Sequence, residues 1–107
     1  MAEWINVCSE SEFLDNTRKI VELDDTDVLV FKLDNNYYAV DHICTHADYE
    51  LDDAEVDTKD CSIICPLHEA KFCLKTGKAL TPPAFENLPT YSVRLHEGLI
   101  QVWDEPK

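Results

Sequence analysis

Cys44-Thr45-His46 and Cys65-Pro66-Leu67-His68, separated by the 18 residues from Ala47 to Ile64, decide how this chain is read. Each short stretch offers one thiolate and one imidazole. Soft thiolate and borderline imidazole donors together suit a transition metal. Pro66 fixes its own backbone angle and supplies no N–H, which suits a rigid loop. The pattern is that of two matching loops, each bringing the same pair of donors.

Two chemistries use two cysteines and two histidines. Zinc takes four such ligands in a tetrahedron, usually with Cys paired to Cys and His to His, the histidines three to five residues apart. Here each loop mixes the two types. Mixing matches a dinuclear 2Fe-2S centre in which two cysteines hold one iron and two histidines the other. Zinc is the chemical rival, and four unrelated polar residues are the remaining reading. A 2Fe-2S centre would make the protein a carrier of single electrons.

Over nearly its whole length the chain resembles the small Rieske ferredoxins of bacterial aromatic-ring-hydroxylating dioxygenase systems. The resemblance is carried by "CTHADYEL" at Cys44 to Leu51 and "CPLHEAKFCLKTGKALTPPA" at Cys65 to Ala84, including Phe72, Gly77, Pro82 and Pro83. It implies one [2Fe-2S] cluster per chain, with Cys44 and Cys65 on an inner iron and His46 and His68 on an outer iron near the surface. It also implies a flavin-dependent, NAD(P)H-driven ferredoxin reductase as electron donor and the Rieske centre of a terminal oxygenase as acceptor. The chain would then be a monomeric carrier and not an enzyme. One departure is Ala70, where such ferredoxins often have a glycine that adopts unusual backbone angles freely. A Rieske-type small subunit of a larger redox enzyme, such as nitrite reductase, is the alternative, and a zinc-stabilised interaction module a third reading.

Rieske proteins of cytochrome complexes carry an extra cysteine in each loop, joined as a disulfide, and hydroxyls that hydrogen-bond to the cluster sulfurs. The corresponding positions here are Tyr49, Leu67, Ala70 and Phe72. That disulfide is impossible. Fewer hydrogen bonds to sulfur and a net charge of −13 both disfavour the more negative, reduced state. The expected potential lies toward the bottom of the roughly −150 to +300 mV Rieske range.

The 107 residues suffice for one domain with one small core. No stretch approaches the roughly 20 apolar residues of a membrane helix, and "MAEWINVCSESEF" lacks the basic and apolar regions of an export signal. A cytoplasmic protein is expected. Of the five cysteines, Cys8, Cys61 and Cys73 remain once two are assigned to iron. An odd set builds no disulfide framework, and these read as small, partly buried thiols in a reducing compartment.

The framework reads as all-β: antiparallel sheets forming a basal domain with an inserted cluster-binding subdomain at about 43–73, within a single domain spanning 1–107. "EWINVC", "TRKIVEL", "DVLVFKL" and "NYYAVD" are rich in β-branched and aromatic residues and predict four strands before the first loop. Asn35-Asn36 is the expected hairpin turn between the third and fourth. "CSIIC" runs into the second loop, "KFCL" and "KAL" flank a turn at Thr76-Gly77, and "TYSVRLH" is expected to pair with "LIQVW" across Glu97-Gly98. The proline-containing "LTPPAFENLP" reads as a surface loop near the cluster.

Between the ligand pairs, Asp48, Glu50, Asp52, Asp53, Glu55, Asp57 and Asp60 are opposed only by Lys59. Singly these are solvated carboxylates. Together they predict a negative field that favours transient docking to a basic partner and excludes nucleic acid and anionic membrane. The spacing is not that of a calcium loop. His42 and His96 read as ordinary surface or turn residues. With two glycines in the chain there is no phosphate-binding loop for a nicotinamide or flavin.

Overall fold

The computed structural model describes residues 2–23, 26–43, 50–52, 54–66, 70–80 and 87–107. Of the expected ligands, Cys65 is among them. Cys44, His46 and His68 lie outside the described residues, as do Asp48, Tyr49, Asp53, Leu67 and most of the proline-containing loop, including Pro82 and Pro83.

Among the described residues ten strands run in the order β1 (Trp4–Ser9), β2 (Thr17–Glu22), β3 (Asp27–Leu33), β4 (Asn36–Asp41), β5 (Glu55–Asp57), β6 (Ser62–Ile64), β7 (Lys71–Cys73), β8 (Thr90–Tyr91), β9 (Val93–His96) and β10 (Leu99–Trp103). A short 3₁₀ turn at Glu10–Glu12 follows β1. The strands form three antiparallel sheets, ordered β1-β10-β9, β2-β3-β4-β8 and β5-β6-β7. The expected all-β framework is what the chain adopts.

Period-2 alternation along β3 explains how the layers stack. Val28 and Val30 join Phe13, Val21, Ala39, Tyr91, Ile100 and Val102 in one core, whereas Leu29, Phe31 and Leu33 join Val40, Leu51, Ala54, Ile63, Cys65, Ala70, Phe72, Leu74 and Leu88 in a second. The sheet containing β3 is therefore the middle layer. The β1-β10-β9 sheet covers one face and the β5-β6-β7 sheet the other. Each fully buried large apolar side chain contributes about 1.5–3 kcal/mol relative to exposure, and β3 supplies them to both sides.

Two sequence expectations shift in detail. The β3–β4 turn is Asp34-Asn35, not Asn35-Asn36: Leu33 pairs with Asn36, and Asp34 and Asn35 both take positive φ, 50° and 64°. A two-residue primed turn needs that conformation at both central positions, which Asp and Asn tolerate. "TYSVRLH" is not one strand. Thr90–Tyr91 pairs with β4 in the middle sheet and Val93–His96 with β10, so the chain changes sheets at Ser92, whose carbonyl accepts the Trp103 N–H at 2.9 Å. The Glu97-Gly98 turn forms as expected, with φ of 52° and 80°.

Candidate metal centre

Each expected ligand loop is closed at its base by backbone bonds. For the first, Ile43 and Glu50 form an antiparallel bridge, and the Leu51 N–H donates to the His42 carbonyl at 2.6 Å. Asp41 braces the incoming side: its Oδ1 accepts the Ile43 N–H at 3.1 Å and the Thr26 hydroxyl at 3.2 Å. For the second, the Cys65 N–H donates to the Ala70 carbonyl at 2.7 Å. Both bases open from the layer that packs on Leu29 and Phe31.

Cys65 is fully buried in that core and bears no disulfide. A free thiol in this place, with Ala70, Phe72 and Leu51 around the same core, fits an inner metal ligand shielded from water. The donor chemistry of the four expected residues also fits an iron-sulfur centre. Among the described residues, no group of three or more His, Cys, Asp or Glu side chains could hold a metal.

Arg18, on β2, is the feature that sequence reading missed. Its Nη1 donates to the carbonyls of Leu51 and Asp52 at 3.2 and 3.1 Å, and its Nη2 to that of Ala54 at 2.6 Å. The guanidinium lies over the Phe31 ring, 4.8 Å from its centroid, because β2–β3 register sets the two residues opposite one another. No sequence signal marks a bond to backbone carbonyls more than thirty positions away.

His42 lies at the bend that follows β4 and is half-buried. Its side chain is 14% exposed, and Nδ1 stands 3.3 Å from Asp52 Oδ1. His96, at the end of β9, is exposed as expected.

The acidic stretch is also less bare than its sequence implies. Lys71 reaches across from β7 to Asp60 Oδ2 at 2.8 Å and Asp57 Oδ2 at 3.4 Å. Asp57 Oδ1 accepts the Lys59 N–H at 3.0 Å, and this, with further help from the Asp60 N–H and Lys71, holds its carboxyl below the usual Asp range. The bond that the Lys71 ammonium donates to Asp60 raises the Lys71 pKa. Glu50 and Glu55 remain exposed.

The three remaining cysteines are free and partly buried. Burial raises the Cys8 thiol pKa. Burial pushes Cys73 upward too, but hydrogen bonds from the Thr76 side chain and the Thr76 and Lys75 N–H groups outweigh it and leave Cys73 more acidic than an ordinary thiol. Burial followed by a hydrogen bond with Cys61 raises Tyr38.

A three-layer antiparallel framework that seats the buried, free Cys65 fits an iron-sulfur protein of the Rieske class. The Rieske [2Fe-2S] domain profile matches residues 3–92. The chain is 36% identical over 96 residues to the 3-phenylpropionate/cinnamic acid dioxygenase ferredoxin subunit of Photorhabdus laumondii, covering 90% of each chain. To the ferredoxin component of the naphthalene 1,2-dioxygenase system of Pseudomonas putida it is 30% identical over 100 residues, 94% of each. A solved complex of reduced oxygenase and oxidised ferredoxin in carbazole 1,9a-dioxygenase contains a similar chain, with a TM-score of 0.88, 28% identity and coverage of 97% of this chain and 95% of that one. The chain belongs to the Rieske [2Fe-2S] domain family, as a ferredoxin-type electron-transfer component rather than an enzyme. The family's cofactor is a [2Fe-2S] cluster. No helix among the described residues is long and apolar enough to cross a membrane.

Proposed function

We propose that this chain carries single electrons within an aromatic-ring dioxygenase system, from a flavin-containing, NAD(P)H-dependent reductase to the Rieske centre of a terminal oxygenase. Cys44 and Cys65 hold the inner iron, and His46 and His68 the outer. A bound [2Fe-2S] cluster supplies reversible storage of one electron. Residues 1–107 form one domain with a cluster-binding subdomain at about 43–73, acting as a monomer in the cytoplasm.

The observation that carries this reading is the burial of Cys65 at the base of a loop closed by its own N–H, in the core shared with the first loop's stem. Such a base holds a thiolate in a fixed, dry place, so little rearrangement accompanies a change of charge. The likeness to a ferredoxin solved in complex with its oxygenase supports the acceptor. Exposed Glu50 and Glu55 beside the first loop favour weak docking to a basic surface, as a carrier that must release one partner to meet the next requires.

Electron paramagnetic resonance of the purified protein before and after dithionite tests the reading. A silent oxidised state that gives a rhombic signal of low average g on reduction is expected. Silence in both states, with zinc found by metal analysis, would replace the carrier with a structural metal module.

A further inference from the structure

Arg18 belongs to the basal sheet, yet its guanidinium donates to three carbonyls of the segment that leaves the first ligand loop. Three carbonyls within four residues, Leu51, Asp52 and Ala54, converge on two of its nitrogens. Carbonyls of a non-repeating segment have no ladder to satisfy them; the Leu51 carbonyl also accepts the Ala54 N–H at 3.0 Å, and the guanidinium adds a donor to all three. A planar guanidinium offers several donors in fixed directions, which the single ammonium of Lys does not.

The segment held by Arg18 is tied in turn to the other side of the loop. Leu51 donates to the His42 carbonyl, Glu50 bridges Ile43, and Asp52 faces the His42 ring. Fixing Leu51 to Ala54 therefore fixes both stems. The guanidinium is itself fixed by stacking on Phe31, and Phe31 lies in the same buried core as Leu51, Ala54 and Cys65. One side chain thus references the first loop's stem to the core that seats the second loop's cysteine.

We propose that Arg18 is a positioning residue for the cluster: it sets the first ligand loop against the second, and so governs how firmly the cluster is held and how uniform its ligand geometry is. This rests on the assignment of Cys44, His46, Cys65 and His68 as ligands. The role is geometric, separate from that of a positive charge near the centre.

Arg18→Lys and Arg18→Gln, compared with the wild-type holoprotein, test it. Lys keeps the charge and the aliphatic stem over Phe31 but loses the fork, and Gln loses the charge as well. Three quantities are read: cluster loss to an iron chelator followed by visible absorbance, the width of the reduced rhombic resonance, and far-ultraviolet circular dichroism. Both variants are expected to keep the wild-type dichroism, to lose the cluster at least about tenfold faster, as outer-shell changes at metal sites do, and to give a broadened resonance. Wild-type retention and line shape in Arg18→Lys, with a change confined to Arg18→Gln, would overturn positioning in favour of charge. Wild-type behaviour in both would overturn any role, and Arg18→Lys decides alone if Arg18→Gln does not fold. Absence of the resonance from the wild type would instead fail the ligand assignment itself.

Discussion

Gly77 and Leu88 meet backbone to backbone. The Leu88 N–H donates to the Gly77 carbonyl at 2.7 Å, and a Cβ added at Gly77 would fall on the Leu88 carbonyl oxygen. Gly77 has φ +76° and closes the turn after β7, where its N–H bonds the Cys73 carbonyl at 2.7 Å. The contact returns the chain from the proline-containing segment to the site-bearing layer. Gly98 has a similar φ, +80°, but open space around it. Gly98→Ala is therefore expected to cost only the left-handed conformation, about 1–2 kcal/mol. Gly77→Ala adds an overpacking cost of about 1–3 kcal/mol. Thermal unfolding should place Gly77→Ala below Gly98→Ala by roughly 4 °C or more; equal midpoints would contradict the steric argument.

The Asp57–Lys71–Asp60 network predicts a pH dependence with a definite sign. The folded pKa of Asp57 is depressed, so its contribution is complete above the unfolded value of about 3.9 and is lost as pH falls through the lower folded value. Lys71 is raised, so its contribution is complete below its unfolded value and is lost as alkaline pH passes the higher folded one. Asp57→Asn should lower the urea midpoint at pH 6, and the difference should close once the wild-type carboxyl is protonated. A difference that persists unchanged into strong acid would assign the effect to shape instead.

Cys73 and Cys8 should differ in reactivity. Hydrogen bonds and Lys75 make Cys73 the more acidic thiol, whereas burial makes Cys8 less acidic than usual. The thiolate is the nucleophile. Iodoacetamide at neutral pH, with sites read by mass spectrometry, should label Cys73 first. Earlier labelling of Cys8 would refute the order.

The potential should be low. Ala70 and Phe72 are both fully buried apolar side chains and supply no hydroxyl, and the chain carries −13. A redox titration is expected to place the midpoint below zero, toward roughly −150 mV. Phe72→Tyr, which offers a hydroxyl at one such position, should raise the midpoint if that group reaches a cluster sulfur, at some cost in packing. A wild-type midpoint well above zero would contradict the reading.

The strands were legible because their information is local. "DVLVFKL" and "NYYAVD" announce themselves by β-branched and aromatic content, and β3 and β4 occupy them. The turn between them was misplaced by one residue because three consecutive residues, Asp34, Asn35 and Asn36, all suit such a turn and register alone chooses among them. Ser92 gives no local sign that the chain leaves one sheet for another there. Charge pairing was least legible. The carboxylates of Asp57 and Asp60 appear in sequence as an unopposed cluster, but Lys71 reaches them from β7. Arg18 was invisible for the same reason, since its partners are carbonyls, which every residue possesses.

β4 and β8 are neighbours in the middle sheet, pairing Val40 with Thr90 and Ala39 with Tyr91. The chain thus departs from that sheet after Asp41 and rejoins it at Thr90, within one strand spacing of where it left. Between these two points the described residues include the β5-β6-β7 sheet. The stretch that leaves and returns at one place also furnishes the layer over Leu29, Phe31, Leu33 and Val40, so its loss would bare four apolar side chains of the framework to water.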